Sequence, residues 1–129
     1  MPAVRRQDTF MTHQPVPAVS RQDVIRIVRR DFPNIPEAEV LAILDEYGTA
    51  RWHRERDRVQ LAVLKLAAGD SQALLTELSI ALKDYRDVLA YAEYPADSKN
   101  GWGYKYKPGE HERIHEEDWN QYQQWLTRQ

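Results

Sequence analysis

Between Ser71 and Glu93 the apolar side chains Leu74, Leu78, Ala81, Tyr85, Val88 and Ala92 alternate steps of four and three, and Leu75, Leu82 and Leu89 run alongside at every seventh position. An α-helix gathers such positions on one face, whereas a strand would scatter them over both. The spacing predicts one continuous helix from Ser71 to about Glu93, roughly 35 Å long at about 1.5 Å per residue. Pro95 ends it.

A stripe of that length needs something to cover it, and the neighbouring segment suits. After the charged lead Arg51–Arg58, the run Val59–Ala68 is apolar on nearly every side, the mark of a helix with neighbours on several faces. Gly69-Asp70 reads as a helix stop followed at once by an N-cap, so the two segments should form an antiparallel hairpin. Upstream, Ser20-Arg-Gln-Asp23 has capping-box spacing and opens a helix of about Arg21–Phe32 before Pro33. Pro36 starts another, striped by Val40, Leu41, Leu44 and Tyr47 and stopped by Gly48. Residues 95–109 show no helical period; Asn100-Gly101 is a turn signal, and the Trp/Tyr alternation around it suggests a small hairpin. Ile114–Leu126 fits a short last helix with Trp119, Tyr122, Trp125 and Leu126 on one side. The expectation is an all-α, four- to five-helix, bundle-like domain over residues 20–129, with a central antiparallel helical hairpin and an aromatic-rich loop before a short C-terminal helix. Residues 1–19, with Pro2, Pro15 and Pro17, read as a flexible tail in which Met11 is an alternative start.

Composition narrows the function. The 129 residues contain no cysteine, so neither a disulfide framework nor a thiolate metal site is possible. A formal net charge of −2 supplies no global pull toward nucleic acid or an anionic membrane. No apolar run approaches the roughly 20 residues needed to span a bilayer, and no apolar stretch follows Arg5 and Arg6 as a secretory signal would require. A cytoplasmic protein is the expectation.

Two resemblances arise. The segment from Arg58 through Gly69-Asp70 to Asp84-Tyr-Arg-Asp87 and Pro95 resembles a group of short bacterial helical proteins with no assigned activity, which implies a fold rather than a function. Locally, within residues 31–48, Phe32-Pro33 followed by Ile35-Pro-Glu37 and the Val40-Leu41-Leu44 helix is similar to the entry of CUE-type ubiquitin-associated domains, which are three-helix units. The methionine those domains place before Phe-Pro is Asp31 here, and the paired leucines of their third helix appear only as Leu64-Lys65-Leu66. That resemblance therefore implies a topology and not ubiquitin binding.

Several motifs carry chemistry in principle. His111-Glu-Arg-Ile-His115 spells H-E-x-x-H, which on a helix puts two imidazoles on one face to bind Zn²⁺ with Glu112 as general base, and it resembles the zincin metallopeptidases. A zinc-dependent hydrolase also needs a distant third ligand. The carboxylates that follow, Glu116, Glu117 and Asp118, are too near in sequence, so a solvated first helical turn is the simpler reading. Glu112-x-x-His115 is also half of a di-iron pattern whose second pair is absent. The loop Lys99–Lys107 interleaves Trp102, Tyr104 and Tyr106 with lysines, as single-stranded nucleic acid binding would use, although aromatic residues after a long helix more often cover a core. Arg51, Arg54, Arg56 and Arg58 with Arg26, Arg29 and Arg30 make a basic surface only if the two runs converge; Asp31, Glu55 and Asp57 interrupt them. Asp84 and Asp87 share a helix face, and pairing with an arginine explains them more simply than acid–base work.

Subtraction leaves a non-enzymatic protein-interaction or regulatory module, with no cofactor and no membrane association, paired with an unidentified protein or with itself. Trp102, Tyr104, Tyr106, Trp119, Tyr122 and Trp125 are the expected contact residues, since aromatic side chains concentrate in interface hot spots. The alternatives are a nucleic-acid binder working through residues 99–107 and a zinc hydrolase working through His111 and His115.

Overall fold

A computed structural model describes residues 16–101 and 103–129. Among the described residues the chain is all-α, with seven helices and no strand. Helix α1 (Arg21–Asp31) opens where the Asp23 carboxylate accepts the Ser20 backbone N–H at 3.0 Å, and it buries Val24, Ile27 and Val28. Helix α2 (Glu37–Leu44) follows Pro36 and turns Val40 and Leu44 inward, with Tyr47 buried just beyond.

Helix α3 (Arg56–Ala67) is the centre of the fold. Every side chain from Val59 to Leu64 is buried, the polar Gln60 among them, and α3 packs against α1 and both segments that follow it. Ala68 and Gly69 are left-handed, and the Asp70 carboxylate then accepts the Ala73 N–H at 2.7 Å, starting the return helix. Glycine is required at 69 twice over: φ is +81°, and a Cβ there would meet the Asp31 carbonyl oxygen at 3.0 Å.

The stretch expected to be one rod is broken at Asp84 into α4 (Ser71–Lys83) and α5 (Tyr85–Glu93). Asp84 is extended (φ −157°, ψ 103°); its carboxylate accepts the Arg86 N–H at 3.1 Å and is gripped by the Arg86 guanidinium at 2.9 and 2.8 Å. Aspartate is a poor helix-interior residue and a strong N-cap, because its side chain competes for backbone N–H groups. Packing favours the break as well. A straight rod of about 35 Å would overrun α3, which at about 1.5 Å per residue is only about 18 Å long. The bend returns α5 onto α3, so Leu74, Leu78 and Ala81 of one half and Val88, Leu89 and Ala92 of the other are all buried. Leu75, 48% exposed, falls outside the core.

Two further differences concern the C-terminal third. Pro95–Asn100 forms a short helix, α6, where no helical period is visible. Its N-terminus is capped by the buried Asp118 carboxylate, which accepts the N–H groups of Ala96 at 2.8 Å and Asp97 at 3.1 Å. The last helix, α7, runs Glu110–Thr127 and so begins a turn before Ile114. The hairpin expected around Asn100-Gly101 does not form among the described residues, and Trp102 lies outside them. Packing also begins before Ser20: Pro17 is buried and Val19 lies against the core. The rest of the expected tail, residues 1–15 with Met11, lies outside the described residues. Among the described residues no helix is long and apolar enough to cross a membrane.

Candidate functional site

The polar side chains that offered chemistry are spent largely on holding the helices together. Arg58 and Glu93 form a bidentate ion pair between α3 and α5, with both N–O distances 2.7 Å, in the interior. Burial pushes the Glu93 pKa up, against the opposing hydrogen bonds and charge of Arg58. Gln60, fully buried on α3, donates to the Leu44 and Tyr47 carbonyls, both at 3.0 Å, and accepts from Arg21 at 2.9 Å. Arg21 in turn clamps Asp45 at 2.8 and 2.9 Å. Asp84, the chemical candidate of its cluster, is the α5 cap.

Most arginines of the two runs are engaged by carboxylates or carbonyls. Arg26 donates to the Leu126 carbonyl and Arg30 to the Trp125 carbonyl, both at 2.7 Å, so two cations of α1 serve the last turn of α7, where carbonyls lack helical partners. Arg30 also lies 5.3 Å over the Trp125 ring. Arg29 pairs with Glu37, Arg56 with Asp57, and Arg58 points inward.

The H-E-x-x-H residues belong to a ladder of rings. Tyr104 meets Tyr106 edge-on at 4.9 Å, Tyr106 meets His111 at 4.7 Å, and His111 meets His115 at 3.8 Å. His115 continues to Tyr94 at 6.3 Å, with its Nε2 3.7 Å from the Asp97 carboxylate. Among the described residues no group of three or more His, Asp or Glu side chains is placed to hold a metal ion. Glu110 ties the loop to the α7 start, accepting from the Tyr104 hydroxyl and the Lys107 N–H, each at 2.8 Å. Burial lowers the His115 pKa, and the neighbouring His111 lowers it further. The folded state thus favours the neutral ring. Its contribution to stability is whole above the ordinary histidine value of about 6.5 and is lost as pH falls through the depressed folded value. Urea midpoints should therefore decline between about pH 7 and pH 5, and His115→Gln should flatten that decline.

Of the aromatic residues expected to meet a partner, Trp119 and Tyr122 are buried and Trp125 is half-buried. They face the interior because α7 closes over α5 and the core with that stripe. The Tyr122 hydroxyl is buried with no hydrogen-bond partner among the described residues, and Tyr122 lines a cavity of ≈10 Å³ with Pro17, Glu93, Tyr94, His115 and Trp119, space for about one water. Tyr104 remains exposed and Tyr106 is half-buried.

What the surface offers instead is a groove inside the bend at Asp84. Leu66, Ile80 and Val88 form its apolar floor, Glu77, Lys83 and Asp87 are its charged rim, and Tyr91 stands on its lip. Tyr91 is 61% exposed, the most exposed large apolar side chain among the described residues. Tyr91 has no place in the four-three stripe, and that is the one sequence signal that could have singled it out.

Comparison of the chain with protein-family models, with curated proteins and with solved structures gives no match.

Proposed function

We propose that the protein is a non-enzymatic interaction module that pairs with a second copy of itself through the α4–α5 groove. The observation that carries this reading is the placement of Tyr91 beside an apolar floor on the same face. A two-fold axis presents one patch on both subunits, so a projecting side chain next to a groove is self-complementary. Each Tyr91 enters the other copy's groove over Leu66, Ile80 and Val88, burying its ring while its hydroxyl stays at the wet edge. The rim complements itself too, since Lys83 of one copy meets Glu77 or Asp87 of the other. A bacterial, cytoplasmic setting belongs to the same proposal, resting on the resemblance over residues 58–95 and the cysteine-free composition.

Amide spectra recorded over a hundredfold dilution test it. Leu66, Ile80, Val88 and Tyr91 should shift together on dilution, while Val24, Leu61 and the other core amides stay in place. Groove amides that stay fixed across the whole range would count against self-pairing.

A further inference from the structure

We infer that the loop between α2 and α3 is a latch that closes on a neutral His53 and is opened by its protonation. The imidazole Nδ1 accepts two backbone N–H groups, that of Gly48 at 2.8 Å and that of Ala50 at 3.1 Å. A backbone N–H can only donate, so Nδ1 must hold a lone pair and the ring must be the neutral tautomer with its hydrogen on Nε2. In the imidazolium both ring nitrogens are donors. An Nδ1 proton would then face two further donors, and both loop hydrogen bonds would be lost at once.

One backbone hydrogen bond, from the His53 N–H to the Ala50 carbonyl at 3.0 Å, and a few side-chain contacts also hold the loop. The His53 ring stacks on the buried Tyr47 ring, with centroids 4.4 Å apart and planes 21° apart, and meets Trp52 edge-on at 4.2 Å. The Tyr47 hydroxyl donates to the Arg54 carbonyl at 2.7 Å, and the Thr49 hydroxyl to the Glu46 carbonyl at 3.3 Å. Both ends of the loop are in the left-handed region, Gly48 at φ +128° and Glu55 at φ +54°. A non-glycine residue held there is costly without surrounding support.

The ionisable groups near the ring are two tyrosines and the charges of the loop and of Arg56. Burial pushes the Tyr47 pKa up to about 12, so Tyr47 stays neutral. Tyr85 of α5 lies beyond it, 6.4 Å from the Tyr47 ring, and the Arg56 side chain of α3 lies over Gly48. Arg51, Arg54, Glu46 and Glu55 are the other charges of the loop, and among the described residues none of the carboxylates pairs with His53. The Tyr47 carbonyl remains tied to Gln60 when the latch opens, so the change is confined to the segment carrying Trp52, already 51% exposed.

A site-resolved pH titration of the full chain tests the latch and keeps His53 separate from His111 and His115. Between about pH 8 and pH 5, the Gly48 and Ala50 amide shifts should follow the His53 Cε1–H with one midpoint. Both amides should lose protection from hydrogen exchange in acid. His53→Asn, whose side-chain oxygen can stand where Nδ1 stood, should keep both amides protected at every pH. His53→Phe should keep the stack and leave both amides unprotected throughout. The latch is refuted if His53 titrates while the two amides do not respond, or if His53 gains no proton by the acid end of the range.

Discussion

Replacing Arg58 with methionine is expected to destabilise the fold by about 3–5 kcal/mol, the usual effect of stranding one member of a buried ion pair. Glu93 is almost fully buried on α5, and its two oxygens are satisfied by Arg58 at 2.7 Å each. Methionine fills much of the stem's volume but offers no donor, so the penalty is electrostatic rather than a packing loss. The pH dependence identifies it. Burial already pushes the Glu93 pKa up, and without Arg58 nothing of comparable strength opposes that push. A carboxyl whose folded pKa exceeds its unfolded value of about 4.3 takes up a proton on folding, so the variant loses stability as pH rises through the folded value. The deficit relative to the unsubstituted chain should therefore narrow on acidification. Adding Glu93→Leu to Arg58→Met should recover most of the loss, because a buried pair exchanged for apolar groups of similar size is often neutral. Urea midpoints of the three chains at neutral and mildly acid pH would check both statements.

The second large effect is expected from Gln60→Leu, at about 1–3 kcal/mol, the usual cost of a buried polar group left without its partner. Leucine is close in volume, so little cavity opens. What disappears is the donor to the Tyr47 carbonyl just beyond α2, the second donor to the Leu44 carbonyl, which also accepts the Tyr47 N–H at 3.0 Å, and the acceptor for Arg21, which keeps Asp45. The damage should be local. Hydrogen exchange should quicken in α2 and its following turn, while α7, which does not touch this network, keeps its protection. A stability change within a few tenths of a kcal/mol of zero would mean that these carbonyls find other donors.

The residues that could be read in advance are those governed by short-range rules. Val24, Val28, Phe32, Val40, Leu44, Leu74, Leu78 and Val88 are buried where helical spacing put them, and Asp70 caps the return helix as its place after Gly69 implied. Periodicity failed where a side chain outbid it locally. The stripe runs in phase through Asp84, so spacing reported one rod, while the aspartate's affinity for the Arg86 N–H divided it. It failed again where the partner is remote in sequence. Helix α6 is capped by Asp118 from 21 and 22 residues away, and Arg26 and Arg30 reach carbonyls at the far end of the chain. Trp119 and Tyr122 show a third limit. An apolar stripe on a helix serves a core or an interface equally well, and only the position of α7 against α5 decides between them.

Sedimentation velocity from low to high micromolar concentration, on the full chain and on Tyr91→Asp, bears most directly on the groove as the working surface. A monomer–dimer transition in the unsubstituted chain, abolished by Tyr91→Asp with folding stability unchanged, is the predicted result. A monomer at every concentration, or a dimer indifferent to the charge placed at position 91, would contradict it.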